Sequence, residues 1–308
     1  MRPTNVIDKY SLSAKTWSRI EAQGDIHPAS FLASCVVIDN PDEELAYIFG
    51  GDEDRRGDNL SNHLSTLSPN GKFTRVNVVG KQVLPRAASC SWSFNRNPYF
   101  AFGRSKEESY QKCALDGEDY MAIDPEYWDL CDNDYNKTNE ILEFNKREGI
   151  FTRFETEGIP PLPTDVNSNY YSSTAVAAIN EKVFVLGEIF FQLDMSSRQW
   201  TRFKDYHRLL LKHSLSVISE NELMLVNDDE SVGRIYNVED NSWSKGPPLP
   251  KVTDEKTGKL VDSGLWRHKA VEVKEGNRVA KIICLGGTRS WTDGDGNSKM
   301  LEIYVDRQ

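Results

Sequence analysis

Long apolar runs are missing from this 308-residue sequence. The first twenty residues contain no continuous apolar stretch of the kind found in secretory signals, and no segment approaches the length that a bilayer-spanning helix needs. We therefore expect a protein of the cytoplasm or the nucleus that has no membrane partner. Basic residues are also in the minority: 37 Lys and Arg stand against 47 Asp and Glu, a formal net charge of −10, so we expect no direct binding of nucleic acid.

Patterns that mark cofactor sites and catalytic sites are scarce as well. The five cysteines are odd in number and form no CxxC pair, which favours free thiols over a disulfide framework or a zinc site. The five histidines are scattered along the chain, and there is neither a GxSxG segment nor a glycine-rich phosphate loop. These absences predict a protein that has no resident cofactor and is not an enzyme.

What the sequence does contain is a short apolar strand that recurs five times and ends at a turn. The five copies are LAYIFGG at 45–51, YFAFGR at 99–104, VFVLGE at 183–188, LMLVND at 223–228 and IICLGG at 282–287. A strand rich in small and β-branched residues precedes each copy, and a strand of alternating polarity follows it. A strand opened by an aromatic residue comes next in four of the five copies. The pattern predicts five units of four antiparallel strands.

Units of this size cannot bury both faces alone, so we expect them to stack as the blades of a β-propeller in one domain over 1–308. Small residues at matched places of the first strands, Cys35 and Cys90 among them, are expected to be packed in the crowded interior. At YIFGG, ICLGG and RIYNVEDNSWSKGPPLP the sequence resembles the kelch-repeat propellers, whose pattern is an apolar strand ending in Gly-Gly, then a Tyr, then a Trp. The resemblance implies an all-β, kelch-type propeller. It implies little about function, because propellers serve unrelated activities.

The strand count also predicts how the ring closes. The last unit ends at Gln308 without an outer strand, whereas TWSRI at 16–20 is an outer strand without a unit of its own. We therefore expect 16–20 to pair with 301–306, so that the N- and C-terminal segments close the ring and leave no open edge. This count gives five blades. The segment NVIDKYS at 5–11 resembles a third strand and leaves six blades possible, the sixth being incomplete.

Function is expected in the loops, because the strands are scaffold. The connections between second and third strands, at 51–62, 105–139, 228–232 and 288–298, together carry a net charge of −13. The insertion at 105–139 mixes acidic with aromatic residues, which is compatible with packing onto the ring, with docking of a partner or with disorder. If it docks a partner, we expect a protein or peptide with a basic surface. The predicted partner-binding residues are Asp116, Glu118, Asp119, Tyr120, Tyr127, Trp128, Asp52, Glu53, Asp228 and Asp229.

A calcium site is a further candidate within the insertion. The oxygen-bearing residues Asp132, Asp134, Asn136 and Glu143 follow the alternating spacing of a calcium loop that ends in a bidentate glutamate. Lys137, however, stands where that loop needs a glycine, and so acidic a stretch can produce the spacing by chance.

A catalytic metal site is the remaining candidate. Some kelch-like propellers resemble iron-dependent lyases or copper oxidases, and the nearest candidate cluster in this chain is Glu53, Asp58 and His63, whose spacing differs from the lyase pattern. We therefore expect a non-catalytic protein-interaction module or adaptor. The alternatives are a metal-dependent propeller enzyme of the lyase or oxidase type and a calcium-binding propeller.

Overall fold

The computed structural model of the chain describes sixteen stretches of residues. They are 6–28, 32–38, 45–53, 59–80, 83–105, 136–137, 140–158, 174–187, 189–203, 213–227, 232–249, 251–253, 260–262, 269–275, 278–285 and 300–305. All regular structure in these stretches is β-strand, and five mainly antiparallel sheets of three or more strands follow one another as a five-blade β-propeller arrangement. The all-β fold class that the repeats predict is confirmed.

The N-terminal half of the chain forms a hairpin and two sheets. The two-stranded hairpin comes first, formed by β1 (Val6–Ser11) and β2 (Thr16–Glu21). The first sheet has the order β3-β7-β6-β5-β4, with β3 (Gln23–Gly24), β4 (Ser34–Ile38), β5 (Leu45–Phe49), β6 (Leu64–Leu67) and β7 (Lys72–Arg75). The second sheet has the order β13-β12-β9-β8, with β8 (Cys90–Phe94), β9 (Asn97–Ala101), β12 (Ile141–Asn145) and β13 (Ile150–Arg153). Between β9 and β12 lies a separate two-residue ladder of β10 (Arg104–Ser105) and β11 (Asn136–Lys137).

Three more sheets follow. The third has the order β14-β18-β17-β16-β15, with β14 (Glu157–Gly158), β15 (Ala175–Ile179), β16 (Lys182–Leu186), β17 (Phe190–Asp194) and β18 (Gln199–Phe203). The fourth contains β19 (His213–Ser219), β20 (Glu222–Asn227), β21 (Val232–Asn237) and β22 (Ser242–Pro248). After the short pair β23 (Lys251–Thr253) and β24 (Leu260–Asp262), the fifth sheet contains β25 (Lys269–Glu275), β26 (Arg278–Leu285) and β27 (Met300–Tyr304).

The chain divides into two compact units, each with its own core. The first unit contains 1–156 with 162–173, and the second contains 157–161 with 174–308. In the first unit, aromatic and aliphatic side chains of the first and second sheets pack together: Val36, Ile38, Tyr47, Phe49, Leu64, Phe100, Leu142 and Phe144. The second unit has one core around Phe184, Phe190 and Tyr236 and another around Met224, Ile282 and Ile303. The second strands β9 and β16 are buried along most of their length, which explains why they form continuous apolar runs in the sequence.

Five hairpins share one turn geometry. The residues between a third strand and its outer strand are 12–15, 68–71, 146–149, 195–198 and 238–241. In every case the last residue of the turn has a positive φ: 53° at Lys15, 85° at Gly71, 69° at Gly149, 61° at Arg198 and 49° at Asn241. Only two of these residues are glycines, so the hairpin geometry imposes the left-handed conformation on the others. The β1–β2 hairpin therefore belongs to the same structural class as the third and outer strands of the first four sheets.

A second repeated feature follows three of the outer strands. The sequences TWSRIEAQG at 16–24, KFTRVNVVG at 72–80 and IFTRFETEG at 150–158 align over nine residues that end in glycine. The three glycines, Gly24, Gly80 and Gly158, have φ angles of 76°, 89° and 85°. We call 23–24, 79–80 and 157–158 the linker segments.

Each linker segment leaves its own outer strand and bonds to the outer hairpin of the sheet that follows. The amides of Gln23, Val79 and Glu157 donate to the carbonyls of Gly71, Gly149 and Arg198 at 3.1, 2.8 and 2.8 Å. These acceptors are the left-handed residues that end the hairpin turns. Two of the linker segments, β3 and β14, run parallel to the outer strands that they join. The chain that leaves one outer strand thus adds backbone hydrogen bonds to the outer hairpin of the sheet that follows it in the sequence.

Two predictions about strands are corrected by the structure. The outer strand at 16–20 does not pair with 301–306 in the described residues; β2 pairs along its whole length with β1, from Val6↔Glu21 to Ser11↔Thr16. A hairpin closed by a four-residue turn costs far less chain entropy than a pairing between the two ends of the chain. Cys90 is buried as expected, but Cys35 is exposed, because Ser34 and Val36 occupy the inward positions of β4 and alternate residues of a strand face opposite sides.

Candidate functional site

The acidic insertion leaves the second sheet through the β10–β11 ladder. Arg104 pairs with Lys137 and Ser105 with Asn136, so the chain before the insertion and the chain after it lie side by side. The backbone amide of Phe102 also donates to the carbonyl of Glu140 at 3.2 Å. Both ends of the insertion are therefore held by backbone pairing at one place, the end of the sheet where its second strand meets its third.

The ladder is anchored to the segment that enters the second sheet. The buried hydroxyl of Ser105 donates to the carbonyl of Pro85 at 2.7 Å. Gly103 has a φ of 92°, and a Cβ there would lie 2.7 Å from the carbonyl oxygen of Ala87. Only glycine therefore allows the two backbones to approach this closely.

A buried ion pair completes the anchor. Arg86 has no exposed surface, and its Nη2 atom lies 2.6 Å from Oε2 of Glu140, the residue that immediately precedes β12 after the insertion. Burial lowers the pKa of the Arg86 guanidinium, and the hydrogen bond from Arg86 to Glu140 opposes that shift. An arginine side chain does not lose its proton in proteins, so the Arg86 guanidinium stays charged at neutral pH. Among the described residues, its Nε and Nη1 atoms have no hydrogen-bond partner, so Glu140 supplies the compensation for this buried charge.

The backbone of Arg86 connects the anchor to the first sheet. The amide of Arg86 donates to the carbonyl of Ser61 at 3.0 Å, and the amide of Gly51 donates to the carbonyl of Arg86 at 2.8 Å. Gly50 has a φ of 71°, and a Cβ on it would lie 2.3 Å from the Arg86 carbonyl oxygen. A glycine is therefore required at position 50, where β5 ends and the chain lies against the backbone of Arg86.

His27 closes the other side of the Gly50-Gly51 turn. Its Nε2 atom lies 2.9 Å from the carbonyl of Gly50, and its Nδ1 atom lies 2.9 Å from the hydroxyl of Ser65. A carbonyl can only accept, so Nε2 carries the proton and Nδ1 accepts from Ser65. Burial lowers the pKa of His27, which keeps the ring neutral. His27 is thus a structural crosslink between the chain before β4 and the first sheet.

We define the anchor site as Ser105, Pro85, Arg86 and Glu140 with the Gly50-Gly51 turn. The sequence alone does not reveal it, because Arg86 and Glu140 lie 54 residues apart. The available signal was a charged residue set between Pro85 and two alanines, immediately before an apolar first strand. The anchor site holds the two ends of the insertion in fixed positions, because an ion pair and several backbone hydrogen bonds connect them to the first and second sheets.

Most of the predicted partner-binding residues lie outside the described residues: Asp116, Glu118, Asp119, Tyr120, Tyr127, Trp128, Asp228 and Asp229. Of the two that are described, Glu53 is exposed at the surface of the first unit. Asp52 is fully buried, and its backbone bridges to Leu60 across the connection between β5 and β6. Asp52 therefore lies inside the unit, where a partner cannot reach its carboxylate.

The predicted metal ligands are described only in part. Asp132, Asp134 and the side chain of Asn136 lie outside the described residues. Glu143 lies on β12, where its Oε1 atom accepts a hydrogen bond from the Nδ2 group of Asn97 at 2.8 Å. His63 of the alternative enzyme cluster has its Nε2 atom 3.1 Å from Nη2 of Arg75, which donates to it. Across the described part of the chain, no three His, Cys, Asp or Glu residues are grouped as metal ligands would be.

Comparison with protein-family models and with curated proteins finds no match for this chain. None of the described residues forms a helix long and apolar enough to cross a membrane. The role of the insertion is therefore inferred from the contacts at its root and from its composition.

Proposed function

We propose that this chain is a kelch-type, non-catalytic interaction module whose acidic insertion docks a protein or peptide with a basic surface. The anchor site is the observation that carries the proposal. A loop that only fills space needs no buried ion pair at its root, whereas a binding loop gains affinity when its ends are fixed before the partner arrives.

The composition of the insertion supports the same function. Between its two ends, residues 105–139 carry ten acidic and three basic residues, together with Tyr120, Tyr127 and Trp128. The acidic charge would speed association with a basic partner over about one Debye length, ~10 Å at 0.1 M salt. The aromatic side chains would supply the desolvated contacts that slow dissociation.

The connections at the opposite ends of the strands also carry acids, as at 39–44, but none of them combines acidic with aromatic residues in an insertion of this length. In the second and fourth sheets they are short turns, such as 146–149 and 238–241, and the residues in them hydrogen-bond to their own turns. The contrast favours the end of the sheet that bears the insertion as the docking end.

The proposal is tested by association kinetics with a synthetic Lys-rich peptide as the probe, measured at low and at near-physiological salt. Replacing Asp116, Glu118 and Asp119 by Asn or Gln is expected to slow association and to flatten its salt dependence. Trp128→Ala is expected mainly to speed dissociation. The matched control neutralises three exposed acids on turns at the other ends of the strands, Glu148, Glu220 and Asp240, and should leave the kinetics unchanged. Equal effects of the two triple variants would contradict the proposal, because net charge alone would then explain the binding.

A further inference from the structure

The β1–β2 hairpin has the structure of half a blade. It shares the four-residue turn and the left-handed last residue of the other third-strand hairpins. It also has the cross-strand aromatic pair of the second and fourth sheets: Tyr10 faces Trp17 with ring centroids 5.1 Å apart, as Phe144 faces Phe151 at 5.1 Å and Tyr236 faces Trp243 at 5.0 Å. By turn, register and side-chain pairing, β1 is a third strand and β2 is an outer strand.

In the described part of the chain, the half-blade has no strand at the second edge of β1, whereas the third strands of the equivalent hairpins have one there. In the first four sheets the third strand pairs on its other edge with a second strand: β6 with β5, β12 with β9, β17 with β16 and β21 with β20. Within the described residues, β1 pairs with β2 alone. One edge of β1 therefore presents backbone donors and acceptors that the same structural class elsewhere satisfies with a neighbouring strand.

Several apolar side chains of the β1–β2 hairpin are exposed, as expected for a sheet that lacks a neighbouring strand among the described residues. Trp17 is 52% exposed, whereas Trp200, at the same position of β18, is 7% exposed. Val6 and Leu12 of the hairpin are also among the large exposed apolar residues. Arg19 pairs with Asp8 at 2.8 Å across the hairpin, which leaves little net charge to select a charged partner.

The four equivalent second strands show what fits the open edge. They are LAYIF at β5, NPYFA at β9, KVFVL at β16 and ELMLVN at β20. All are short, run antiparallel to the third strand and consist mainly of apolar β-branched, aromatic and aliphatic residues. The four second strands therefore indicate which residue types suit a strand added at the open edge of β1.

We propose that the open edge of β1 is a second binding surface, which takes an extended apolar segment of another polypeptide as an added antiparallel strand. Backbone hydrogen bonds provide the affinity in this mode of recognition, and alternate side chains of the added strand provide the specificity. The added strand would lie where β5, β9, β16 and β20 lie in their sheets. This surface is independent of the acidic insertion and selects for apolar rather than basic partners.

The test uses the full chain and a synthetic peptide with the sequence of 181–187, EKVFVLG, which contains the second strand β16. Hydrogen exchange followed by mass spectrometry is expected to show saturable protection of the β1 amides by this peptide. A control peptide with proline in place of the central Phe cannot continue the ladder and should give no protection. The fluorescence of Trp17, obtained as the difference between the parent chain and Trp17→Phe, is expected to shift to shorter wavelength with the first peptide only.

Two single variants, Asp8→Pro and Lys9→Pro, locate the binding edge. Neighbouring residues of a strand direct their amides to opposite edges, so one proline removes a donor from the open edge and the other removes a donor to β2. The variant whose hairpin still shows protected β2 amides must lose peptide binding. Binding that survives in that variant would overturn the proposal. So would the absence of protection in the parent chain, or self-association of the chain through β1 that excludes the peptide.

Discussion

The buried ion pair of the anchor site allows a prediction in which two substitutions at one contact have unequal effects. Arg86 has a fully buried side chain, whereas that of Glu140 is 28% exposed. Glu140→Gln leaves the buried guanidinium without a countercharge, and two of its nitrogen atoms already have no hydrogen-bond partner among the described residues. Arg86→Met removes the buried charge itself, and the remaining carboxylate can turn to water.

The magnitudes follow from the two environments. Leaving a buried charge unpaired costs on the order of 3 kcal/mol, at the lower end of the usual range because the Gln carbonyl can still accept one hydrogen bond. An apolar side chain of similar length in place of Arg86 is expected to cost about 1 kcal/mol, since its packing is retained and Glu140 is partly hydrated. The double variant should be more stable than Glu140→Gln alone, because it removes the uncompensated charge.

Urea unfolding followed by tryptophan fluorescence measures these differences, with buried Trp92 in the same unit as a reporter. The matched control is Glu143→Gln, three residues along the chain, whose side chain accepts from the neutral Asn97 and should lose less than about 1 kcal/mol. If Arg86→Met proves as destabilising as Glu140→Gln, or the double variant less stable than both, the argument from an uncompensated buried cation is wrong.

Two further predictions concern the first unit. Gly24→Ala should destabilise the chain by about 2 kcal/mol or more, because Gly24 has a φ of 76° and the added Cβ would lie 2.2 Å from the Phe73 carbonyl oxygen. Gly80 has a φ of 89°, but no atom lies closer than 4.0 Å to an added Cβ, so Gly80→Ala should cost only about 1 kcal/mol in the same urea assay. Burial holds the pKa of His27 below its unfolded value, so its contribution to stability is present above the unfolded pKa, about 6.5, and is lost as the pH falls through the lower folded pKa. His27→Gln should therefore be less stable than the parent at pH 7 and should lose less stability between pH 7 and pH 5, and an unchanged slope would show that another group titrates there.

The strands were predictable from the sequence because their pattern is set by burial. Second strands buried on both faces read as apolar runs, and third strands alternate, so their positions agree closely with those expected. The supernumerary third strand at β1 was likewise visible as NVIDKYS. The pairing of β1 could not be predicted in the same way. The sequence contains two third strands, β1 and β27, that could each pair with the outer strand β2. The short turn at 12–15 favours β1.

The anchor site could not be predicted, since sequence reasoning places charged residues on surfaces. Arg86 and Asp52 are both fully buried, and the compensation for Arg86 comes from Glu140, on the far side of the insertion. The linker segments are marked in the sequence by a glycine, which an analysis of apolar periodicity alone does not detect. Their glycines mark a change of partner sheet, and only an alignment of the three outer strands shows that each glycine stands at the same distance from the aromatic residue.

The linker segments mean that the repeat of the chain and the sheet of the fold begin at different residues. A tandem duplication cut at the end of an outer strand would separate that strand from the linker segment that bonds to the next hairpin, as Val79 bonds to Gly149. The inserted copy would fold its four strands but would leave its neighbour's turn carbonyl without a donor. A copy that carries the nine residues from 72 to 80 intact brings its own connection to whatever sheet follows it. For the first three sheets, a duplication or deletion that preserves this connection therefore has to cut after the glycine and not at the end of the outer strand.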